Sequence, residues 1–234
     1  MKQILKDCVG LATVTNLSEF RDWIESFTVS PERWVVVHDL EPIDNERWYS
    51  DLSPHEREFR FQRVARNLNM GRETILKMEK PPKFVFMIEQ DASFPVNVLN
   101  DLHEAMDSET HLTSLAFGVR DNRLERKLMI GNFQLRDNVP VRYHMFHIAS
   151  ARELPKIAEI HASSFNCMLA KWEVIEKIPF WGVAEGTDFA VDTLFYARAK
   201  SLDFKHKCLV HITTEHRGFV WNYEKEDDHV DERG

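Results

Sequence analysis

Cysteine is scarce and scattered: Cys8, Cys167 and Cys208 are the three in the chain, an odd number with no CxxC pair among them. That supports neither a disulfide framework nor a thiolate metal knuckle, and a reducing compartment is the simpler expectation. Long apolar runs are missing too. No stretch of about 18 apolar residues is there to span a bilayer, and Met1 to Gly10 carries Lys2, Lys6 and Asp7 where a secretion signal has its apolar segment. The expectation is a soluble, cytoplasmic protein without a transmembrane segment, in which the Asn16-Leu17-Ser18 sequon is a chance match. Eight glycines and nine prolines exclude collagen-like and low-complexity chains. Positive charge is in deficit: 30 Lys and Arg against 38 Asp and Glu leave a net charge of −8. Such a balance works against non-specific capture of nucleic acid or of an anionic membrane. Arg57, Arg60, Arg63, Arg66 and Arg72 lie among Glu56, Glu58 and Glu73, which reads as a solvated mixed-charge helix.

What is present is core-forming material. Hydrophobic residues make up 43% of the 234 and aromatics 11%, enough apolar surface for one sizeable core. Gly10 to Thr15 reads as a buried strand, Ser18 as an N-cap, and Glu19 to Phe27 as an amphipathic helix. The β-branched run Trp34 to His38 follows, so strand, helix and strand imply a parallel pair whose carboxyl ends share one crevice. Asp51 to Met78 has the spacing of one or two helices. Phe84 to Ile88 is a strand buried on both faces; it ends in Glu89-Gln90-Asp91, and a helix with Val98, Leu99 and Leu102 on one face comes next. Three strand-like stretches between Leu112 and Ile148 suit antiparallel pairing, and Ser150 with Glu153 suggests a capping box. A strand at Phe165 to Ala170, helices at Trp172 to Lys177 and Val191 to Ser201, and a last strand at Phe204 to His211 complete the pattern. With no repeat and no linker, residues 1–223 are expected to form a single domain, about 1–111 binding the nucleotide and about 112–223 the acceptor. Residues 224–234 then form a charged, mobile tail.

Three groups of residues carry candidate chemistry. Glu89 and Asp91, one residue apart at a strand end, suit a hard cation that bridges phosphates. Asp192 stands near the start of a helix, where taken alone it would answer the helix dipole, and Arg198 would be a solvated charge. His211 closes the last strand, with His216 close behind, and a neutral imidazole is a competent metal ligand.

In order and spacing these elements resemble the inverting GT-A-fold nucleotide-sugar glycosyltransferases of the large family-2-like group, from about Gly10 to about Gly218. The family's first strand and polar turn look like Thr13-Val14-Thr15-Asn16, and the Asp that ends its second strand looks like Asp39 after Val35-Val36-Val37-His38. An Arg-Asn pair that helps hold the donor is matched by Arg66-Asn67. The Asp-x-Asp metal motif before a Pro and a helix is similar to Glu89-Gln90-Asp91 and Pro95, with Glu where Asp is usual. Phe165 to Lys171 and Ile178-Pro179-Phe180 look like the acceptor-side strand and helix. Asp192, Arg198 and Phe204 keep the spacing of the catalytic loop, while Val191 replaces a Glu and Asp203 a Gly.

The resemblance implies an α/β GT-A fold with a mostly parallel twisted central sheet flanked by helices. It implies a metal-dependent glycosyltransferase that moves a sugar from a nucleoside diphosphate, UDP ahead of GDP, to a glycan or another hydroxyl acceptor. On this reading Thr13, Thr15, Asn16, Asp39, Arg66, Asn67, Glu89 and Gln90 hold the donor. Asp91, Glu89 and His211 hold Mn²⁺ or Mg²⁺, with His216 as second choice for the histidine. Asp192 is the catalytic base and Asp188, in Glu185-Gly186-Thr187-Asp188, its rival. Trp172, Phe180, Trp181 and Trp221 are either core or a platform for a sugar ring. Two alternatives stand beside this one. A sugar-phosphate nucleotidylyltransferase would need a Gly-rich loop where Thr13-Val14-Thr15-Asn16-Leu17 has no glycine. An inactive nucleotide-binding or interaction module would account for Glu89 and Val191.

Overall fold

The computed structural model of the chain describes residues 3–39, 52–120, 126–136, 139–182, 190–216 and 219–224. In chain order the elements are β1 (Gln3–Val14), α1 (Leu17–Glu25), β2 (Val29–His38), α2 (Pro54–Leu76), β3 (Phe84–Glu89), β4 (Ala92–Ser93) and α3 (Val98–Glu104). Next come β5 (Thr110–Leu115), β6 (Gly118–Arg120), β7 (Arg126–Arg136), β8 (Val139–His147), α4 (Ile148–Arg152) and β9 (Ile157–Ile160). The chain continues through β10 (Cys167–Lys171), α5 (Trp172–Lys177), α6 (Val191–Ser201), β11 (Lys205–Leu209), β12 (Thr214–His216) and β13 (Phe219–Trp221).

Seven strands form the central sheet in the order β2-β1-β3-β10-β5-β11-β9. The strands β2, β1, β3, β5 and β11 run one way, and β10 and β9 the other. Alternation along the strands builds two cores. On one face Val9, Leu11, Val85, Met87, Met168 and Ala170 pack against α2, α5 and α6. On the other Cys8, Ala12, Phe86, Ile88, Cys167 and Leu169 pack against α1 and α3. Burying each of the larger side chains among these, Val, Leu, Ile, Phe or Met, contributes about 1.5–3 kcal/mol. Gly71 lets α2 lie close on β1, since a Cβ there would stand 2.2 Å from Leu11 Cδ1. A third core joins α4 to the two small antiparallel sheets, β6-β7-β8 and β13-β12-β4.

Several expectations change. The helix expected to be capped by Ser18 starts two residues earlier, because the Asn16 side chain accepts hydrogen bonds from the Ser18 and Glu19 N–H groups. The capping box is at Ser53 and Glu56, with Pro54 opening α2. Ser150 lies inside α4 and Glu153 ends it, so no box forms there. The stretch 112–119 divides: β5 joins the central sheet, and only β6 pairs with β7. β11 is followed by two further short strands rather than ending the fold. The tail, from 225 on, lies outside the described residues.

Candidate functional site

The carboxyl ends of the parallel strands differ in character. β5 and β11 run into Ala116, Phe117 and Val210, all buried and apolar. β2, β1 and β3 run into His38-Asp39, Thr15-Asn16 and Glu89-Gln90-Asp91. From β1 the chain goes to β2 on one flank, and from β3 its next central strand is β5 on the other. The strand order therefore reverses between β1 and β3, which is where open α/β sheets have their crevice.

Asp39 is buried at the end of β2, its N–H donating to the Val14 carbonyl at 2.8 Å. Arg63 donates from Nε to Asp39 Oδ2 at 2.8 Å and Oδ1 at 3.1 Å, and Arg63 Nη2 lies 2.6 Å from Oδ1. Asn67 Nδ2 adds a bond to Oδ2 at 2.8 Å. Arg63 and Asn67 are one helical turn apart and face the sheet, whereas Arg66 is exposed on the other side of α2. The arginine beside Asp39 is thus Arg63, while Arg66, of the pair expected to hold the donor, lies away from it. The i, i+4 spacing of Arg63 and Asn67 is the sequence signal that could have found it.

Gln90 closes the β1–α1 turn. Its Oε1 accepts from the Thr15 and Asn16 N–H groups at 2.9 and 3.2 Å, and its Nε2 donates to the Asn16 carbonyl at 3.2 Å. His38 Nε2 lies 3.2 Å from the Thr15 carbonyl. The side chains of Asn16 and Gln90 therefore build the turn, leaving the exposed Thr15 at its surface. Thr13 stands opposite Glu89 in the β1–β3 register, and Glu89 is half-buried.

Asp91 meets a histidine, and it is the second choice. β12 pairs with β4 so that His216 opposes Ala92, which brings His216 Nε2 to 3.4 Å from Asp91 Oδ2. His216 Nδ1 is buried without a hydrogen-bond partner. His211 lies in the turn after β11, where its Nδ1 is 2.8 Å from the Lys156 carbonyl. The expected trio of Glu89, Asp91 and His211 is not gathered: among the described residues no group of three or more His, Cys, Asp or Glu converges to hold a metal.

Asp192 lies in the first turn of α6, its Oδ1 accepting from the Thr193 N–H at 2.7 Å. Burial pushes its carboxyl up to about 6, against the hydrogen bonds from Thr193. Its charge also helps hold the buried Tyr143 and Tyr196 hydroxyls in their neutral form, after burial itself. Since α6 ends next to the start of β11, its first turn lies toward the carboxyl edge of the sheet. Asp188 falls in 183–189, outside the described residues. Of the aromatics, Phe180 and Trp221 are core, Trp221 donating from Nε1 to the Val210 carbonyl, while Trp181 is exposed.

No family model matches the chain, and no curated protein sequence does. Among solved structures it is similar to the crystal structure of A197 from STIV, with a TM-score of 0.53 at 9% identity over 95% of each chain. It is also similar to a Bacillus anthracis protein described as a glucose-1-phosphate thymidylyltransferase in complex with a sucrose. There the TM-score is 0.31 at 11% identity, over 72% of this chain and 53% of that one. The first likeness shows a shared fold, a mixed α/β architecture with a large, mostly parallel sheet flanked by helices; the second is too distant to carry weight. No described helix is long and apolar enough to cross a membrane.

Proposed function

We propose that the crevice at the carboxyl ends of β2, β1 and β3 binds a nucleoside diphosphate sugar, UDP ahead of GDP, and that the protein transfers the sugar to a hydroxyl of a glycan or another acceptor with inversion. One observation carries this reading. A carboxyl group pushed up to about 6, Asp192, stands toward the same sheet edge as the clamped Asp39 and the acidic turn Glu89-Gln90-Asp91. Perturbed acids at the carboxyl edge of an open sheet are where ligands and proton transfers concentrate.

Each group has a physical task. Asp39, oriented by Arg63 and Asn67, is the carboxylate that a hydroxyl or N–H donor of a ribose or base would meet at the end of β2. The turn locked by Gln90 presents Thr15 beside it. Asp192 takes the proton from the acceptor hydroxyl as the oxygen bonds to the anomeric carbon and the bond to the diphosphate breaks; a single base on the far face gives inversion. The donor set fits a divalent cation: Asp91 and His216 offer a carboxylate oxygen and a ring nitrogen side by side, leaving other positions for phosphate and water. Mn²⁺ or Mg²⁺ held there would neutralise the charge that develops on the leaving diphosphate.

Thermal unfolding with UDP, GDP, CDP and ADP, each with and without Mn²⁺, tests the reading on the native chain and on Asp91→Asn. A nucleotide at 100 times its Kd stabilises by about 2.7 kcal/mol, which raises the midpoint by roughly 5–10 °C in a chain of this size. The expected result is a metal-dependent rise with one nucleotide that Asp91→Asn loses. No rise with any nucleotide at saturation overturns the reading in favour of an interaction module.

A further inference from the structure

Two strand residues and the residue that leads into a third strand stand in one row at the carboxyl edge of the central sheet. Thr13 of β1 is opposite Glu89 of β3. On the other side the Glu89 N–H donates to the Asn166 carbonyl at 3.2 Å, one residue beyond the pair of Ile88 with Cys167. Alternation places the Thr13 and Glu89 side chains on the same face, and the Met168–Ala170 set of β10, carried one residue past the strand's start, leads to Asn166 in the bend before it. Val9 and Leu11, Val85 and Met87, and Met168 and Ala170 from these strands line the core under α2 and α6, and Thr13, Glu89 and Asn166 extend that set outward. Asp192 belongs to the helix that covers this face.

Two polar atoms in the row have no partner. Thr13 Oγ1 and Asn166 Nδ2 are shut off from solvent and make no hydrogen bond among the described residues, and Asn166 as a whole is 1% exposed. Buried polar groups are nearly always paired, and an unmade bond costs about 1–3 kcal/mol. Two such atoms on either side of a carboxylate therefore point to a partner that is not protein. The donor and acceptor pattern says which kind. Asn166 Nδ2 only donates, Thr13 Oγ1 does either, and an ionised Glu89 only accepts. Hydroxyl groups, which donate and accept at once, satisfy both unpaired atoms and are compatible with the carboxylate between them. A phosphate brings acceptors alone and is repelled by the Glu89 and Asp192 carboxylates; an apolar group leaves both atoms unpaired.

We infer that Thr13 and Asn166, flanking Glu89, read the hydroxyl groups of the donor's sugar and so set which sugar the site accepts. This rests on the nucleotide-sugar reading above. The nucleotide is held at Asp39 and the turn at Thr15, and the sugar lies over the Thr13–Glu89–Asn166 row.

The test compares UDP with UDP-glucose, UDP-galactose and UDP-N-acetylglucosamine by titration calorimetry in Mn²⁺, using the native chain, Thr13→Val and Asn166→Ala. In parallel, free glucose, galactose and N-acetylglucosamine are titrated while the Asn166 side-chain amide signals are followed by NMR. Thr13→Val keeps the shape of the side chain and decides the matter if Asn166→Ala does not fold. One UDP-sugar is expected to bind about tenfold more tightly than UDP, an increment of the size one or two new hydrogen bonds provide. Each variant is expected to lose most of that increment while its affinity for UDP stays within about twofold. An increment that survives in both variants overturns the inference. So does UDP binding with no sugar that moves the Asn166 amide, which leaves water as the occupant and the nucleotide site intact. If no nucleotide binds but a free sugar shifts that amide, the cradle stands and the nucleotide-sugar reading falls. If neither nucleotide nor sugar binds, both fall.

Discussion

Arg63 Nη2 lies 2.6 Å from Asp39 Oδ1 while its Nε lies 2.8 Å from Asp39 Oδ2, so guanidinium and carboxylate meet edge to edge inside the fold. Such a two-point contact fixes direction as well as distance, and a lysine could not replace it. It joins the middle of α2 to the end of β2, and through the Asp39 N–H to β1. The aspartate expected to read a nucleoside is therefore held rigidly before any ligand arrives.

Breaking this pair leaves a buried carboxylate without its main partner, which typically costs 3–5 kcal/mol. Arg63→Leu is expected to lower unfolding stability by about that much and to weaken nucleotide binding. Arg66→Leu, on the exposed side of the same helix, is expected to stay within about 0.5 kcal/mol. Urea titrations of the two variants side by side check this; equal losses would return the role to Arg66.

Asp192 carries a pH signature. Its carboxyl titrates at about 6 in the folded chain and near 4 when unfolded, so between those values the folded state keeps a proton that the unfolded state has released. Stability from this group falls as pH rises from about 4 to about 6 and stays lower above that range. Asp192→Asn is therefore expected to stabilise the chain at pH 8 by about 3 kcal/mol, with no gain at pH 4. The same substitution should reduce sugar transfer by roughly 10²–10⁴-fold, and in the native enzyme activity should decline as pH drops below about 6. Denaturation at the two pH values and a rate profile give both readouts.

The two histidines divide cleanly by experiment. His216→Ala removes the side chain that faces Asp91, and the Mn²⁺ concentration needed to enhance nucleotide binding should rise at least about tenfold. His211→Ala removes a bond to the Lys156 carbonyl on another part of the surface, and the metal response should stay within about twofold. The reverse pattern would restore His211 as the candidate ligand.

His206 predicts acid sensitivity apart from the site. The buried ring stacks on Tyr196 at 4.8 Å, and its Nε2 is 2.8 Å from Ser114 Oγ. Burial lowers its pKa to about 3. The unfolded chain takes up a proton below about 6.5 that the folded chain refuses until about 3. Stability should fall by about 1.4 kcal/mol per pH unit across that window from this residue alone. His206→Phe keeps a ring against Tyr196 but should flatten the slope, at the expense of about 1–2 kcal/mol at pH 7 for the lost Ser114 partner. Urea midpoints at pH 7, 6, 5 and 4 measure it; an unchanged slope would show that other groups set the acid response.

Local pattern carried a good part of this fold. The apolar run before Glu89 is β3, and the helices expected at Trp172 to Lys177 and Val191 to Ser201 are α5 and α6 with those same bounds. Strand, helix and strand at the start produce the parallel β1–β2 pair. These features follow from side-chain periodicity and backbone preference within a dozen residues, so the amino-acid order alone determines them. It also determines that a polar turn follows β1 and an acidic turn follows β3.

The pairing of distant residues was settled elsewhere. That β10 inserts antiparallel between β3 and β5, that Arg63 rather than Arg66 grips Asp39, and that His216 rather than His211 meets Asp91 all depend on register between segments far apart in sequence. So does the Thr13–Glu89–Asn166 row, whose members come from β1, β3 and the bend before β10. Even the shifted carboxyl of Asp192 arises from its burial in the folded chain. A residue's type limits which bonds and charges it can offer, but its partner and its exposure to water come into being only when the sheet closes and the helices cover it, and these decide what the site can bind.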